Sequence, residues 1–98
     1  MERTLKYSKR VLQQINRTLA YIDENLSSQG ADALLEQIEG KMKRAKSYPE
    51  AGKLSAKSRN IRYVLIDRHR RLYYRYSDRR VTVLALFDTR QDPRKQPY

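Results

Sequence analysis

The apolar residues of this chain change period once, near residue 60, and that change limits the folds open to it. Upstream, Val11, Leu12, Ile15, Leu19, Ile22 and Leu26 recur at three- and four-residue spacing, which describes one buried face of a helix. The segment 27–30, Ser-Ser-Gln-Gly, interrupts the pattern. Ala31, Leu34, Leu35, Ile38, Met42 and Ala45 then resume it as a second helical stripe. Helices joined by so short a connection lie antiparallel. Downstream, residues 61–66, 72–76 and 81–87 are short runs rich in β-branched and aromatic side chains. Their connections, 67–71 and 77–80, are short enough for hairpins.

The ends of the chain fill in the remainder. Residues 3–7 alternate weakly as a short strand, and Ser8 offers a side-chain oxygen to cap the first helix. In 81–87, Val81, Val83, Ala85 and Phe87 are expected on one face and Leu84 and Leu86 on the other, so this strand reads as central and covered on both sides. Gly40 falls inside the second helix, where it serves a close backbone approach or marks fraying. Residues 53–60 read as a polar, basic loop, and 89–98, with two prolines and no apolar stripe, as an irregular tail. The expected architecture is α+β, in the order β-α-α-β-β-β, with a helix hairpin packed on one face of a curved, mostly antiparallel sheet. With 98 residues the chain has material for one core, hence a single domain over 1–98.

Charge points to the class of partner. There are 22 Lys plus Arg against 11 Asp plus Glu, a formal +11, and 14 of the 22 are arginine. Arginine carries a planar fork of donors that fits phosphate oxygens and stacks on bases, whereas lysine is a compact, strongly hydrated point charge. An anionic membrane or an acidic protein would also attract a basic chain, but neither needs this arginine and tyrosine enrichment. Nucleic acid leads. Other chemistry is poorly supplied: no cysteine is present for a disulfide or thiolate site, and one histidine makes zinc improbable. There is no Gly-rich phosphate loop and no Ser-His-Asp or Cys-His set. No cofactor is expected. The start of the chain lacks an apolar leader and no stretch is long enough to span a bilayer, so a cytoplasmic location with no membrane partner is expected.

The element order, together with the run NIRYVLIDRHRRLYYRYSDRRVTVLALFDTRQDPRK, resembles the RelE/ParE superfamily of bacterial toxins. The sharper features are Arg62 near the start of one strand, the Tyr-Arg-Tyr of Tyr74, Arg75 and Tyr76 in the next, and the Arg-Gln-Asp-Pro of 90–93 after the last. The resemblance implies the RelE/ParE-like fold and the toxin role in a type II toxin–antitoxin pair, silenced by a cognate antitoxin. Two mechanisms follow from it. RelE-like members enter the ribosomal A site and cleave mRNA without metal, whereas ParE-like members bind and poison DNA gyrase without catalysis. The first expectation is the ribosome-dependent mRNA endonuclease, and the alternative is gyrase inhibition, which needs no base and which the long helix hairpin favours.

Cleavage through a 2′-hydroxyl needs a base, an acid and cations around the developing charge. By resemblance, Arg62, Arg75 and Arg90 would converge on one concave face to grip the scissile phosphate, with Tyr98, the first tyrosine after Arg90, as the proton-moving group. Lys53, Lys57 and Arg59 on the loop entering the sheet, and Arg70, Arg71, Arg79 and Arg80 at the hairpin turns, would contact the nucleic-acid backbone. The endonuclease reading also requires the Lys57 loop and the tail after Arg90 to border one groove. Tyr63, Tyr73, Tyr74 and Tyr76 offer either a stacking platform or ordinary cross-strand packing. His69, set among arginines at a turn, reads as an exposed surface residue, and Glu36 and Glu39 as solvent-facing or ion-paired rather than catalytic. An acidic, amphipathic antitoxin segment is expected across the sheet or the helix hairpin.

Overall fold

The computed structural model describes residues 3–98. Strand β1 (Thr4–Tyr7) leads into helix α1 (Lys9–Asn25) and helix α2 (Ser28–Ser47), then into a 3-10 turn at Pro49–Ala51. Four more strands follow: β2 (Lys53–Leu54), β3 (Arg62–Leu65), β4 (Arg70–Tyr76) and β5 (Arg80–Asp88). A second 3-10 turn, Pro93–Lys95, sits in the tail. The five strands form one sheet in the order β1-β5-β4-β3-β2, in which β1 runs parallel to β5 and every other pair is antiparallel. The expected α+β architecture is present, with one addition. The basic stretch 53–60 is not all loop, because Lys53 and Leu54 pair with Tyr63 and Arg62 as a two-residue edge strand.

Both helices start at the serines placed to cap them. Ser8 Oγ accepts from Val11 N at 3.1 Å, and Ser27 Oγ accepts from Gly30 N at 2.9 Å, each satisfying an amide that the first helical turn leaves without a carbonyl. The apolar stripes of the hairpin then close on one face of the sheet. Val11, Ile15, Ile22, Leu34, Ile38, Met42 and Ala45 pack with Leu72, Tyr74, Val81, Val83 and Leu86. Helix α2 continues unbroken through Gly40, and a Cβ there would meet nothing within 4 Å, so neither close approach nor fraying explains this glycine.

Strand β5 is central and apolar on both faces, but its alternation differs from the expected one. Tyr73 pairs with Ala85 and the next residue, Tyr74, pairs with Val83, so Leu84 is an extra residue bulged out of the ladder. A one-residue bulge exchanges the faces beyond it. Val81, Val83 and Leu86 therefore face the helices, while Ala85 and Phe87 join Tyr73, Tyr63, Ile61 and Tyr98 in a smaller cluster on the opposite, open face. The bulge is held from α1. Ser8 Oγ donates to Leu84 O at 3.1 Å, and Gln14 Oε1 accepts from Leu86 N at 2.8 Å.

Candidate nucleic-acid and target interface

The register divides the candidate residues between the two faces of the sheet. Arg62 lies opposite Tyr74, on the helix side, and Arg75, the next residue along β4, points the other way. Arg62 is tied down: its Nη1 donates to Gly52 O at 2.7 Å and Glu50 O at 3.1 Å. Beside it, the buried Tyr74 hydroxyl donates to Pro49 O at 2.5 Å and accepts from Gly52 N at 3.2 Å. Burial pushes the Tyr74 hydroxyl up from its ordinary pKa, which keeps its proton on that carbonyl. A Cβ at Gly52 would run into this hydroxyl. Arg62 and Tyr74 together clamp the turn that follows α2 onto the edge of the sheet.

Arg75 gathers with Arg79 and Arg80 around an open depression of about 410 Å³ at the β4–β5 turn. Arg90 sits at the other end of that hairpin. Thr82, the partner of Arg75, and Asp88, next to Arg90, are six residues apart on β5, on the order of 20 Å at a strand's rise per residue. Arg90 is exposed and engaged with Asp88, donating from Nη2 at 2.7 Å and from Nε at 3.0 Å. That hydrogen bond holds the Asp88 carboxyl at about 2, well below the ordinary carboxylate range. Arg70 pairs with Asp67 at 2.7 Å. Partial burial pushes the Asp67 carboxyl up, but hydrogen bonds from the His69 amide and from Arg70 outweigh it and leave the group lowered. The structure therefore does not bring Arg62, Arg75 and Arg90 together.

It does bring the tail to the open face. After the turn at Pro93–Lys95 the chain doubles back, and Lys57 Nζ donates to Gln96 O at 2.6 Å. Tyr98 lies on Tyr73 with ring centroids 5.6 Å apart, and Tyr73 stands 5.6 Å from Tyr63. The Arg71 guanidinium covers the outer ring of this row, 4.4 Å from the Tyr63 centroid. Arg71 is thus a strand residue over an aromatic ring rather than a turn residue, a position set by its register opposite Phe87. Both the Arg71 Nε and the Tyr73 hydroxyl are buried without a hydrogen-bond partner. Of the four tyrosines offered for stacking, Tyr63 and Tyr73 share this face, Tyr74 belongs to the main core, and Tyr76 lies under Arg3 at 5.5 Å. Lys53 and Arg59 are exposed at the β2 edge and on the loop beyond it, and His69 is half-buried at the β3–β4 turn.

What the sequence did not disclose is the company Arg71 and Tyr98 keep. Nothing in 89–98 carries an apolar period, and a single aromatic at position 98 is too weak a signal to place. Among the described residues no group of three or more His, Cys, Asp and Glu could hold a metal ion, and no helix is long and apolar enough to cross a membrane.

Comparison with known proteins adds a family and a set of folds. A family model described as the ParE toxin of the type II toxin–antitoxin system parDE matches residues 5–93. No curated protein matches the sequence. Among solved structures, the chromosomal ParDE toxin–antitoxin system from P. aeruginosa aligns with a TM-score of 0.73 at 11% identity, covering 89% of this chain and 96% of that one. The YoeB/ParE toxin from Agrobacterium tumefaciens aligns at 0.64 and 17% identity, over 87% and 96% of the two chains. The YoeB dimer from Staphylococcus aureus aligns at 0.63 and 14% identity, over 89% and 97%. At these identities the likeness is one of fold.

Proposed function

Because the chain belongs to the ParE toxin family of type II toxin–antitoxin systems, we propose that it disables its target by binding, in the manner of a DNA gyrase inhibitor, rather than by cleaving mRNA. The observation that carries this reading is the dispersal of Arg62, Arg75 and Arg90. Arg62 is spent on two backbone carbonyls, Arg90 on Asp88, and Arg75 stands at the opposite end of β5 from Arg90. A phosphorane-like transition state needs cations preorganised around one point, and these three surround none. A binder needs only surface. On this reading residues 1–98 act as one toxin domain in the cytoplasm, with no cofactor.

A second reading, the ribosome-dependent endonuclease, has one observation in its favour. Tyr98 folds back onto the open face, beside the Lys57 loop. Induction of the chain in cells separates the two. Gyrase poisoning gives chromosome breaks and an SOS response over intact messages. New mRNA 5′ ends within A-site codons, lost on Arg90→Ala, would overturn it in favour of the nuclease.

The cognate antitoxin is proposed as an acidic, amphipathic segment. The exposed apolar side chains Leu12, Leu26 and Leu35 on the helix hairpin, and Leu54 and Leu65 at the β2–β3 edge, give it surface to cover, and the net +11 gives it charge to meet.

A further inference from the structure

The geometry points to a second binding site, independent of the toxin's target: a cleft between α1 and the β5 end that takes the phosphate backbone of a nucleic-acid strand. Helix α1 carries two stripes. One, through Val11, Ile15 and Ile22, is the core contact. The other runs Arg10, Gln14, Arg17 and Tyr21, at the same three- and four-residue steps, and faces the end of β5 and the returning tail across a cleft of about 450 Å³. Gln14 fastens this stripe to the bulged strand through Leu86 N, so the arginines one turn to either side are carried on a fixed wall.

The charges in the cleft do not cancel. On the strand wall Asp88 is occupied by Arg90, and Asp67, which lines the adjoining depression, is occupied by Arg70, both at 2.7 Å, so each carboxylate is neutralised by a neighbour. Arg10, Arg17 and Lys95, which line the same cleft, make no ion pair among the described residues. Three uncompensated cations on the walls of one trench raise the local anion concentration far more than the same charges spread on a convex surface. Arg10 and Arg17 are seven residues apart, about 10 Å along the helix, which matches the rise of about three nucleotides of one strand. Tyr21, 62% exposed, lines this cleft and also the adjoining one of about 390 Å³ beside His69, which prolongs the trench. Its ring offers an unpaired base a stacking face. The α1 wall also carries Thr18 beside Gln14, a polar lining that suits phosphate better than an amphipathic protein segment.

The test is fluorescence anisotropy on the full chain with a labelled, mixed-sequence single-stranded oligonucleotide, its duplex, and polyglutamate, each over a range of salt. Arg10→Ala/Arg17→Ala should weaken single-strand binding roughly tenfold or more near 0.1 M salt and flatten the log K against log salt slope by about 1.4, whereas Lys41→Ala/Lys43→Ala, with the same loss of charge on α2, should leave the slope unchanged. Duplex binding equally lost on Arg10→Ala/Arg17→Ala but untouched by Tyr21→Ala still supports a backbone site, with duplex as the source. Equal losses from both double variants would reduce the effect to diffuse net charge and overturn the site. Binding confined to polyglutamate and lost on Arg10→Ala/Arg17→Ala would reassign the cleft to an acidic protein. Absence of binding to any of the three probes would also overturn the proposal.

Discussion

At the scale of single residues, Arg62 and Arg90 show that an arginine's role is decided by what it is already holding. Arg62 belongs to the Tyr74–Gly52 clamp, so its loss is expected to appear first as a loss of stability. Tyr74→Phe leaves the buried Gly52 N–H and Pro49 O without the hydroxyl and should cost about 1–3 kcal/mol. Gly52→Ala should be at least as damaging although its φ of −69° suits any residue, because the space for a Cβ is filled by Tyr74. Urea unfolding of both variants checks this, and an unchanged midpoint for Gly52→Ala would refute the clamp. Asp88 sets an acid limb. Its folded pKa of about 2 lies below the ordinary 3.8, so its stabilising contribution is complete above about 4 and is lost as pH falls toward 2. The melting-temperature difference between the wild type and Asp88→Asn should therefore shrink across that window, and a constant difference would exclude this carboxylate. The sequence makes both arginines visible and neither partner. Arg62 meets carbonyls, and backbone carbonyls have no sequence signature.

The elements were more legible than their register. Periodicity alone locates α1 and α2 and the three long strands, because each buries one continuous stripe or face. Strand β2 escapes it, since two residues cannot display a period. The bulge at Leu84 escapes it too. In an apolar run such as Val81 to Phe87 every residue tolerates either face, so the point where the faces exchange is fixed by α1 and not by the strand's own residues. Ser8 and Gln14 provide that fixing, and they provide it together. Ser8→Ala removes both the cap of α1 and the bond to Leu84 O, and should cost about 1–2 kcal/mol. Denaturant titration beside Gln14→Leu, with the double variant completing the cycle, should give non-additive losses, and strictly additive ones would mean that the two residues hold the bulge independently. The open face owes its β5 partners to the same bulge: without it, Ala85 and Phe87 would turn toward the helices, and Leu84 and Leu86 would take their place beside Tyr73 and Tyr98.

At the scale of the molecule, β5 is where everything converges: the start of the chain lies along one side of it, β4 along the other, the helices on one face and the tail on the other. The sequence discloses the order of the elements but not that the first strand pairs with the last, since no local pattern links residue 4 to residue 80. That single parallel pairing has a consequence in time. Every other strand has its partner close by in the chain, whereas β1 must wait for a segment made about 75 residues later, which at usual synthesis rates is on the order of 4 to 15 s. Closing so long a loop is entropically slow as well. Until β5 emerges from the ribosome, the helix hairpin can form but has no sheet to cover it, and Val11, Ile38 and Met42 stay open to water or to whatever meets them first. The apolar face of the hairpin is therefore uncovered for seconds, and it becomes a finished surface only once β5 is available to pair with β1.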